Sequence, residues 1–113
     1  MAFISELTGR PVTDYDGTRI GVLKDLIART YVEFSHPVVD AIIVHGENGD
    51  TTLPYSDLAA LLSAAIPLKR PLADIPKYES RENDIRLVED VLDKQILDTD
   101  DARVVRVNDI ELV

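Results

Sequence analysis

Short apolar runs separated by turn residues recur along this chain and predict strands rather than long helices. The most strand-like run is Val38–Val44 (VVDAIIV), which is apolar on both faces and is therefore expected inside a sheet. Asn48-Gly49 then predicts a type I′ turn, with Thr51–Pro54 as the returning strand. Asp57–Ala65 predicts one short helix. Its apolar face is expected to join the core through Leu58, Leu61 and Leu62.

An ungapped internal repeat organises the chain, because the segment Phe3–Leu26 returns 84 positions later as Leu87–Ile110. Of the 24 aligned positions, four are identical and nine more carry conservative replacements. Equal sequence patterns usually build equal structural units, so the two copies are expected to be related by pseudo-twofold symmetry. The identical pairs are Asp14/Asp98, Asp16/Asp100, Arg19/Arg103 and Asp25/Asp109.

Each copy predicts one β-hairpin with an Asp-rich tip. In the first copy, Arg10–Thr13 runs into Asp14-Tyr15-Asp16-Gly17 and returns along Arg19–Ile27. Asp and Asp-Gly favour such turns because they tolerate left-handed backbone and bond their own turn. The second copy repeats this with Lys94–Leu97 and Arg103–Leu112. Apolar residues recur every third position in both return strands, which predicts a β-bulge at a bend.

Length, charge and composition narrow the class of protein. A chain of 113 residues is enough for one domain with a modest core. The formal net charge of −9 argues against nucleic-acid binding, which depends on basic residues that neutralise phosphates. Absence of cysteine excludes disulfides and thiolate metal sites. No apolar run approaches the roughly 20 residues of a membrane-spanning helix.

We therefore predict a single domain over residues 1–113. It comprises a first repeat (3–66), a Pro-rich connector (67–78) and a truncated second repeat (85–113). The second repeat lacks counterparts of the strands that follow Leu26 in the first. Either a longer chain or a second molecule is expected to supply them, so partners are the remainder of the chain, another protein, or an identical chain in a homodimer.

Several segments resemble the PRC-barrel family, which includes the cytoplasmic barrel of the photosynthetic reaction-centre H subunit and the C-terminal domain of a ribosome-maturation factor. In the first copy these are the hairpin with Gly17, the Arg19-Ile20-Gly21 step, the Val38–Val44 strand and the segment 53–58 (LPYSDL). In the second copy, residues 90–98 (DVLDKQILD) and 106–109 (RVND) are similar to the N-terminal PRC-like region of MgtE-type magnesium transporters. The second copy departs from the pattern, with Asp101 and Val105 where the first has Gly17 and Gly21.

The resemblance implies a mainly β fold: a small PRC-type β-barrel with two pseudo-repeated hairpins and one short helix. It also implies a non-catalytic interaction or regulatory module, cytoplasmic and brought to the inner face of the membrane by a larger protein such as a magnesium transporter. Two alternatives stay open. One is a stand-alone protein that binds a small molecule or divalent metal, and the other is a reaction-centre accessory domain in electron transport.

Carboxylates at the second hairpin tip are the one candidate site. Asp98, Asp100 and Asp101 could offer oxygens to Mg²⁺ or Ca²⁺, although the tip lacks the later ligands of a calcium loop. The competing interpretation is that these residues only form the turn. Asp25 and Asp109 are expected to bond unpaired backbone beside the bulge, or else to contact a partner.

The two histidines, His36 and His45, show no neighbouring cysteines or clustered carboxylates along the sequence, so neither a zinc site nor a catalytic dyad is expected. The sequence also lacks a phosphate-binding loop and a dinucleotide fingerprint. We therefore expect no enzyme activity and no bound cofactor.

Overall fold

A computed structural model describes residues 2–29, 37–61, 63–76, 78–79, 84–91, 95–98, 103–106 and 111–112. For residue 2 and the last three ranges, only the course of the backbone is described. The fold is mainly β, as the sequence predicts. The strands are β1 (Ala2–Phe3), β2 (Pro11–Thr13), β3 (Arg19–Arg29), β4 (Val38–Gly46), β5 (Gly49–Pro54), β6 (Ile66–Pro67), β7 (Ile85–Arg86), β8 (Gln95–Asp98), β9 (Arg103–Arg106) and β10 (Glu111–Leu112).

Helical structure is short and local. One four-residue helix, α1 (Ile4–Leu7), follows β1, and 3-10 turns lie at Tyr55–Asp57 and Leu72–Asp74. A π-helical turn, Leu87–Val91, follows β7. Shifted by the repeat length of 84, α1 falls within this π-helical turn, so both copies make a helical turn before their hairpin.

A six-stranded sheet forms the body of the molecule, in the order β5-β4-β3-β2-β6, with β7 also paired to β3. All pairs are antiparallel except β2 with β6. The connector segment was predicted to begin after residue 66, but Ile66–Pro67 enters the sheet beside Val12–Thr13. Closure of this sheet into a barrel stays a prediction.

Strand β4 confirms the expectation of an interior strand that is apolar on both faces. Ile42 and Val44 lie in the main core, whereas Ala41 and Ile43 belong to a smaller cluster with Ile27. Both clusters are buried, because β4 lies between β3 and β5. The main core comprises Ile4, Leu7, Val12, Leu23, Leu26, Ile42, Val44, Leu53, Leu58, Leu61, Ile66 and Leu68.

The predicted helix over Asp57–Ala65 is wrong. The only helical turn here is the 3-10 turn Tyr55–Asp57, which ends where the helix should begin. Leu58 forms an isolated β-bridge with Leu68, and the Ala59 N–H donates to the Pro67 carbonyl (2.8 Å). The Lys69 N–H donates to the Asp57 carbonyl (2.8 Å), so a tertiary partner takes an acceptor that the first turn of the helix would need. Leu58 and Leu61 are nevertheless buried, as predicted.

Both copies form the predicted antiparallel hairpin. In the first, Pro11 pairs with Val22 and Val12 with Gly21. The second copy repeats this register after the shift of 84, with Gln95 opposite Arg106 and Ile96 opposite Val105. The first hairpin then shifts register between Val12 and Thr13, whereas the second continues evenly to its tip.

The two copies also exchange strands. Strand β7, which leads into the second copy, pairs with the end of β3 in the first: Ile27 opposite Arg86 and Ala28 opposite Ile85. Conversely, β1 leads into the first copy and pairs with β10, which corresponds to residues 27–28 of the first copy. The two pairings differ by one residue in register, since Ile27 faces Arg86 whereas its counterpart Glu111 faces Phe3, the counterpart of Leu87. The pseudo-twofold relation of the copies stays a prediction.

Candidate functional site

The first Asp-rich tip is a turn built by its own carboxylates. A side-chain oxygen of Asp14 accepts bonds from the N–H groups of Tyr15 (2.8 Å) and Leu72 (3.0 Å). Asp16 accepts from the Thr18 N–H (3.0 Å), and this backbone bond lowers the pKa of Asp16. Gly17 has φ of 90°, a conformation that favours glycine. Turn formation therefore accounts for these residues.

The second tip carries the predicted metal ligands, and the structure brings none of them to a site. Asp98 ends β8 opposite Arg103, and only its backbone is described. Asp100 and Asp101 lie outside the described residues. Among the residues whose side chains are described, no group of three His, Cys, Asp or Glu is placed to hold a metal ion. Metal binding at Asp98, Asp100 and Asp101 stays a prediction.

Asp25 lies at the contact between the two copies. Its side chain sits beside a register shift of β3 and accepts the N–H of Leu26 (2.7 Å). It also accepts the N–H groups of Val88 (2.8 Å) and Glu89 (3.1 Å), at the start of the π-helical turn. The residue is 3% exposed. The predicted bond to backbone beside the bulge is confirmed for Asp25, and Asp109 lies outside the described residues.

Four residues along β3 from Asp25, Arg29 forms a second buried contact between the copies. Its guanidinium group bonds the carboxylate of Asp84 and the hydroxyl of Tyr78 (3.0 Å), and it lies 3.5 Å from the carboxylate of Asp40. The Arg29 side chain is 5% exposed. Because breaking a buried ion pair leaves an uncompensated charge, this cluster strongly couples β3 to the segment that follows the connector.

Tyr78 completes the cluster. Its hydroxyl donates to the other Asp84 oxygen (2.9 Å) and accepts from Arg29. Burial raises the pKa of Tyr78 to about 12, and the bond to Asp84 adds to the effect. The ring also packs against the smaller apolar cluster on that face of the sheet. We call Asp25, Ile27, Ala28 and Arg29, together with the segment 84–89, the inter-copy seam.

His45 has a carboxylate partner that its sequence neighbourhood does not suggest. Strands β4 and β5 place His45 opposite Asp50, and Nδ1 of His45 lies 2.8 Å from Oδ1 of Asp50. Lys24 donates to the other Asp50 oxygen (2.6 Å), and this bond, followed by the His45 contact, lowers the pKa of Asp50. One carboxylate therefore lies beside His45, and no metal-binding cluster forms around it within the described residues. His36 lies outside the described residues.

The predicted Asn48-Gly49 turn would have placed Thr52 opposite His45, but Gly46 pairs with Gly49, so the two turn residues are Glu47 and Asn48, one position earlier than predicted. The His45–Asp50 geometry is that of a carboxylate that orients an imidazole. Within the described residues, however, no hydroxyl group is hydrogen-bonded to His45. Both side chains are exposed, at 62% and 39%. Exposed pairs of this kind contribute little stability.

An open cleft of about 690 Å³ lies beside His45, between the β4–β5 turn and the start of β3. Its polar lining includes Arg19, His45, Glu47 and Asn48. At Gly21, a β-carbon would overlap the carbonyl oxygen of His45 and lie 2.8 Å from a methyl group of Val44. The glycine thus permits the close approach of β3 and β4 at this point.

The described residues leave no buried side-chain nitrogen or oxygen without a hydrogen-bond partner. The charged groups that are buried all stabilise structure: Asp25 and Arg29 at the seam, and Asp57 in a 2.7 Å pair with Arg70. The adjacent bases Lys69 and Arg70 are therefore not a free basic patch, because Arg70 is engaged.

No protein-family model, curated protein or solved structure matches this chain. The PRC-barrel resemblance therefore stays a prediction. Over the described residues, none of the helices is long and apolar enough to cross a membrane.

Proposed function

We propose that this chain is a non-catalytic protein-interaction module that binds extended segments at the edges of its sheets. The observation that supports this is the inter-copy seam. There, β3 already holds such a segment through backbone pairing to Ile85 and Arg86, two bonds to Asp25 and the ion pair of Arg29. Adding a strand to a sheet edge is a common mode of peptide recognition.

The same proposal covers the setting of the module. We infer that it acts in the cytoplasm, as a regulatory part of a larger assembly such as an MgtE-type magnesium transporter at the inner face of the membrane. The support for this setting is the resemblance of residues 90–98 and 106–109 alone. A homodimer through the C-terminal edge is the form that the chain would adopt without another partner.

Sedimentation equilibrium of the 113-residue chain tests the homodimer. We expect concentration-dependent self-association that is lost in Ile110→Lys, since a charged lysine on an edge opposes edge-to-edge pairing. Tyr15→Lys is the matched control, because it adds the same charge and removes an exposed apolar side chain at the first hairpin tip, 60% exposed. A monomer at high micromolar concentration, or equal effects of both variants, would refute the homodimer.

A second candidate function is a small-molecule-binding protein, which the cleft beside His45 favours. Its volume of about 690 Å³ lies within the range of ligand pockets, roughly 300–1,000 Å³. Arg19 and His45 would select a small carboxylate or phosphate. A saturable rise in melting temperature with inorganic phosphate or citrate, abolished in Arg19→Gln, would support it. No shift at millimolar ligand would exclude it.

A further inference from the structure

The open cleft beside His45 carries side chains of opposite charge. Its polar lining includes Arg19 at the start of β3, Glu47 in the β4–β5 turn and the amide of Asn48. These three side chains are exposed, and within the described residues none of them makes a hydrogen bond or an ion pair. A ligand can therefore bind them without displacing a contact of the protein.

Contact between the backbones of β3 and β4 brings the two charges to one rim of the cleft. At Gly46, a β-carbon would lie 2.7 Å from the carbonyl oxygen of Ile20. Arg19 precedes Ile20, and Glu47 follows Gly46. Because neighbouring Cα atoms are only about 3.8 Å apart, the cation and the anion flank the same backbone contact.

The rest of the cleft is largely apolar and continuous with the main core. Val44 and Leu53 line the cleft and are buried in that core. Ile20 and Leu72 also line it, and both are partly buried against the same core. An apolar group placed here would extend the core outwards. Ligand pockets usually combine such an apolar surface with a few polar groups that fix the orientation of the ligand.

We infer that the cleft binds a zwitterionic ligand with an apolar side chain, namely a free branched-chain α-amino acid. Arg19 pairs with its carboxylate and Glu47 with its ammonium group, while Ile20 and Leu72 contact its side chain. Hydrogen bonds between charged groups are stronger than those between neutral ones. The inference rests on the second candidate function, the small-molecule-binding protein, and names its class of ligand.

Charge favours such a zwitterion over a simple anion. A phosphate or citrate ion brings only negative charge to the rim, where Arg19 attracts it and Glu47 repels it. The formal net charge of −9 on the chain opposes these anions further. An α-amino acid has no net charge, and its ammonium group is attracted by Glu47. The zwitterion should therefore bind more tightly than either anion.

A matched series of ligands tests each contact in the unmodified chain. Leucine has all three groups, whereas 4-methylpentanoate lacks the ammonium group, isopentylamine lacks the carboxylate and glycine lacks the apolar side chain. We expect leucine to bind about tenfold or more tightly than each analogue, because each analogue loses one contact. Titration followed by nuclear magnetic resonance gives the dissociation constants, and the shifted resonances should be those of the cleft.

Two substitutions of exposed residues assign the charges. Glu47→Gln should abolish the preference for leucine over 4-methylpentanoate, because only leucine has the ammonium group that Glu47 attracts. Arg19→Gln should weaken the binding of both ligands by about tenfold, since both present a carboxylate to it. Glu79→Gln is the matched control, because it makes the same change at an exposed glutamate that does not line the cleft. It should leave both dissociation constants unchanged.

The outcomes separate the ligand class from the cleft itself. An analogue that binds as tightly as leucine, or a preference that survives Glu47→Gln, would overturn the inference. If phosphate or citrate then still raised the melting temperature through Arg19, the cleft would stand as an anion site and only the ligand class would be wrong. If leucine, phosphate and citrate all failed to bind at millimolar concentration, the second candidate function would be refuted as well.

Discussion

The two hairpins of this chain share a register but not an environment. Pro11–Val22 and Gln95–Arg106 are equivalent pairs, yet in the described part of the chain the first hairpin lies in a six-stranded sheet and the second in a two-stranded one. The local sequence is enough to pair the strands, since turn residues and β-branched residues recur in both copies. The surrounding strands decide how that hairpin is stabilised and which of its backbone groups are left to bind others.

The inter-copy seam joins the first copy to the second, so a substitution that breaks it should have the largest effect on stability. Arg29→Met removes the buried cation that the partly buried carboxylates of Asp84 and Asp40 share. We expect the melting temperature to fall by about 15 °C, because breaking a buried ion pair is strongly destabilising. Amide exchange should accelerate most around β7 and the second hairpin. Differential scanning calorimetry and exchange measurements check both effects.

Arg19→Met is the matched control, since Arg19 lies on the same strand, carries the same charge and is exposed. It should lower the melting temperature by at most a few degrees. Equal losses in the two variants would mean that charge rather than the seam matters. The double variant Arg29→Met/Asp84→Leu should recover part of the loss, because no charge of that pair then remains buried.

Gly21 and Val105 hold equivalent positions in the two hairpins, so exchanging glycine and valine there tests how the surroundings of the hairpins differ. Gly21→Val installs the residue that the second copy has at position 105, and its β-carbon would overlap the His45 carbonyl. Overpacking against backbone should cost about 3 kcal/mol. The reverse change, Val105→Gly, should cost only about 0.5–1 kcal/mol, the usual penalty of glycine in a strand.

Urea denaturation of both variants measures this asymmetry. Because m should stay constant for both, the midpoint alone reports the difference. Equal costs would show that the Val105 side chain is packed against neighbouring residues, because removing a buried valine side chain is itself costly.

Much of the fold follows from local sequence. The Asp-rich tip with Gly17, the return strand with a bulge and the β4–β5 hairpin are all confirmed, because turn chemistry and side-chain period act over a few residues. The Asp57–Ala65 helix failed because backbone bonds of Asp57 to Lys69 and of Ala59 to Pro67 override local propensity.

The seam could not be predicted in this way. Arg29 and Asp84 are 55 residues apart, and no periodic signal marks either as a partner. The aligned repeat flagged Asp25 as a bulge residue, but not which backbone groups it would accept. The contacts between the copies depend on how the two units are placed relative to each other. Tertiary packing rather than local sequence sets that placement.

Asp25→Asn measures the contribution of one carboxylate to the seam. Asparagine keeps one acceptor oxygen but replaces the other with a donor, so one of the bonds to Leu26, Val88 and Glu89 is lost. We expect a loss of about 2 kcal/mol in unfolding free energy, since bonds to charged groups contribute about 1.5–3 kcal/mol. Chemical denaturation checks this value.

The companion variant Asp16→Asn changes an exposed turn carboxylate whose acceptor oxygen bonds only the nearby Thr18. Its effect should be several-fold smaller. If the two losses were equal, Asp25 would be acting as another turn residue rather than as the acceptor that binds the N–H groups of Val88 and Glu89.

The smallest expected effect is also the most specific, because it depends on pH. With its pKa raised to about 12, the Tyr78 phenol stays neutral in the folded state beyond its ordinary value of 10.0. A raised pKa contributes stability that is fully present below pH 10 and is lost as pH rises towards 12. Tyr78→Phe should therefore cost about 1 kcal/mol at pH 7, the value of a hydrogen bond, and should flatten the alkaline decline.

Ultraviolet titration of the phenolate checks the assignment. The unmodified chain should show one tyrosine that ionises near pH 12. Tyr78→Phe should lack this ionisation. The control Tyr55→Phe changes an exposed tyrosine in the 3-10 turn Tyr55–Asp57 and should leave the ionisation near pH 12 unchanged. If this ionisation survived in Tyr78→Phe, the phenol of Tyr78 would not be sequestered between Arg29 and Asp84. The seam would then depend on the ion pair between Arg29 and Asp84 alone.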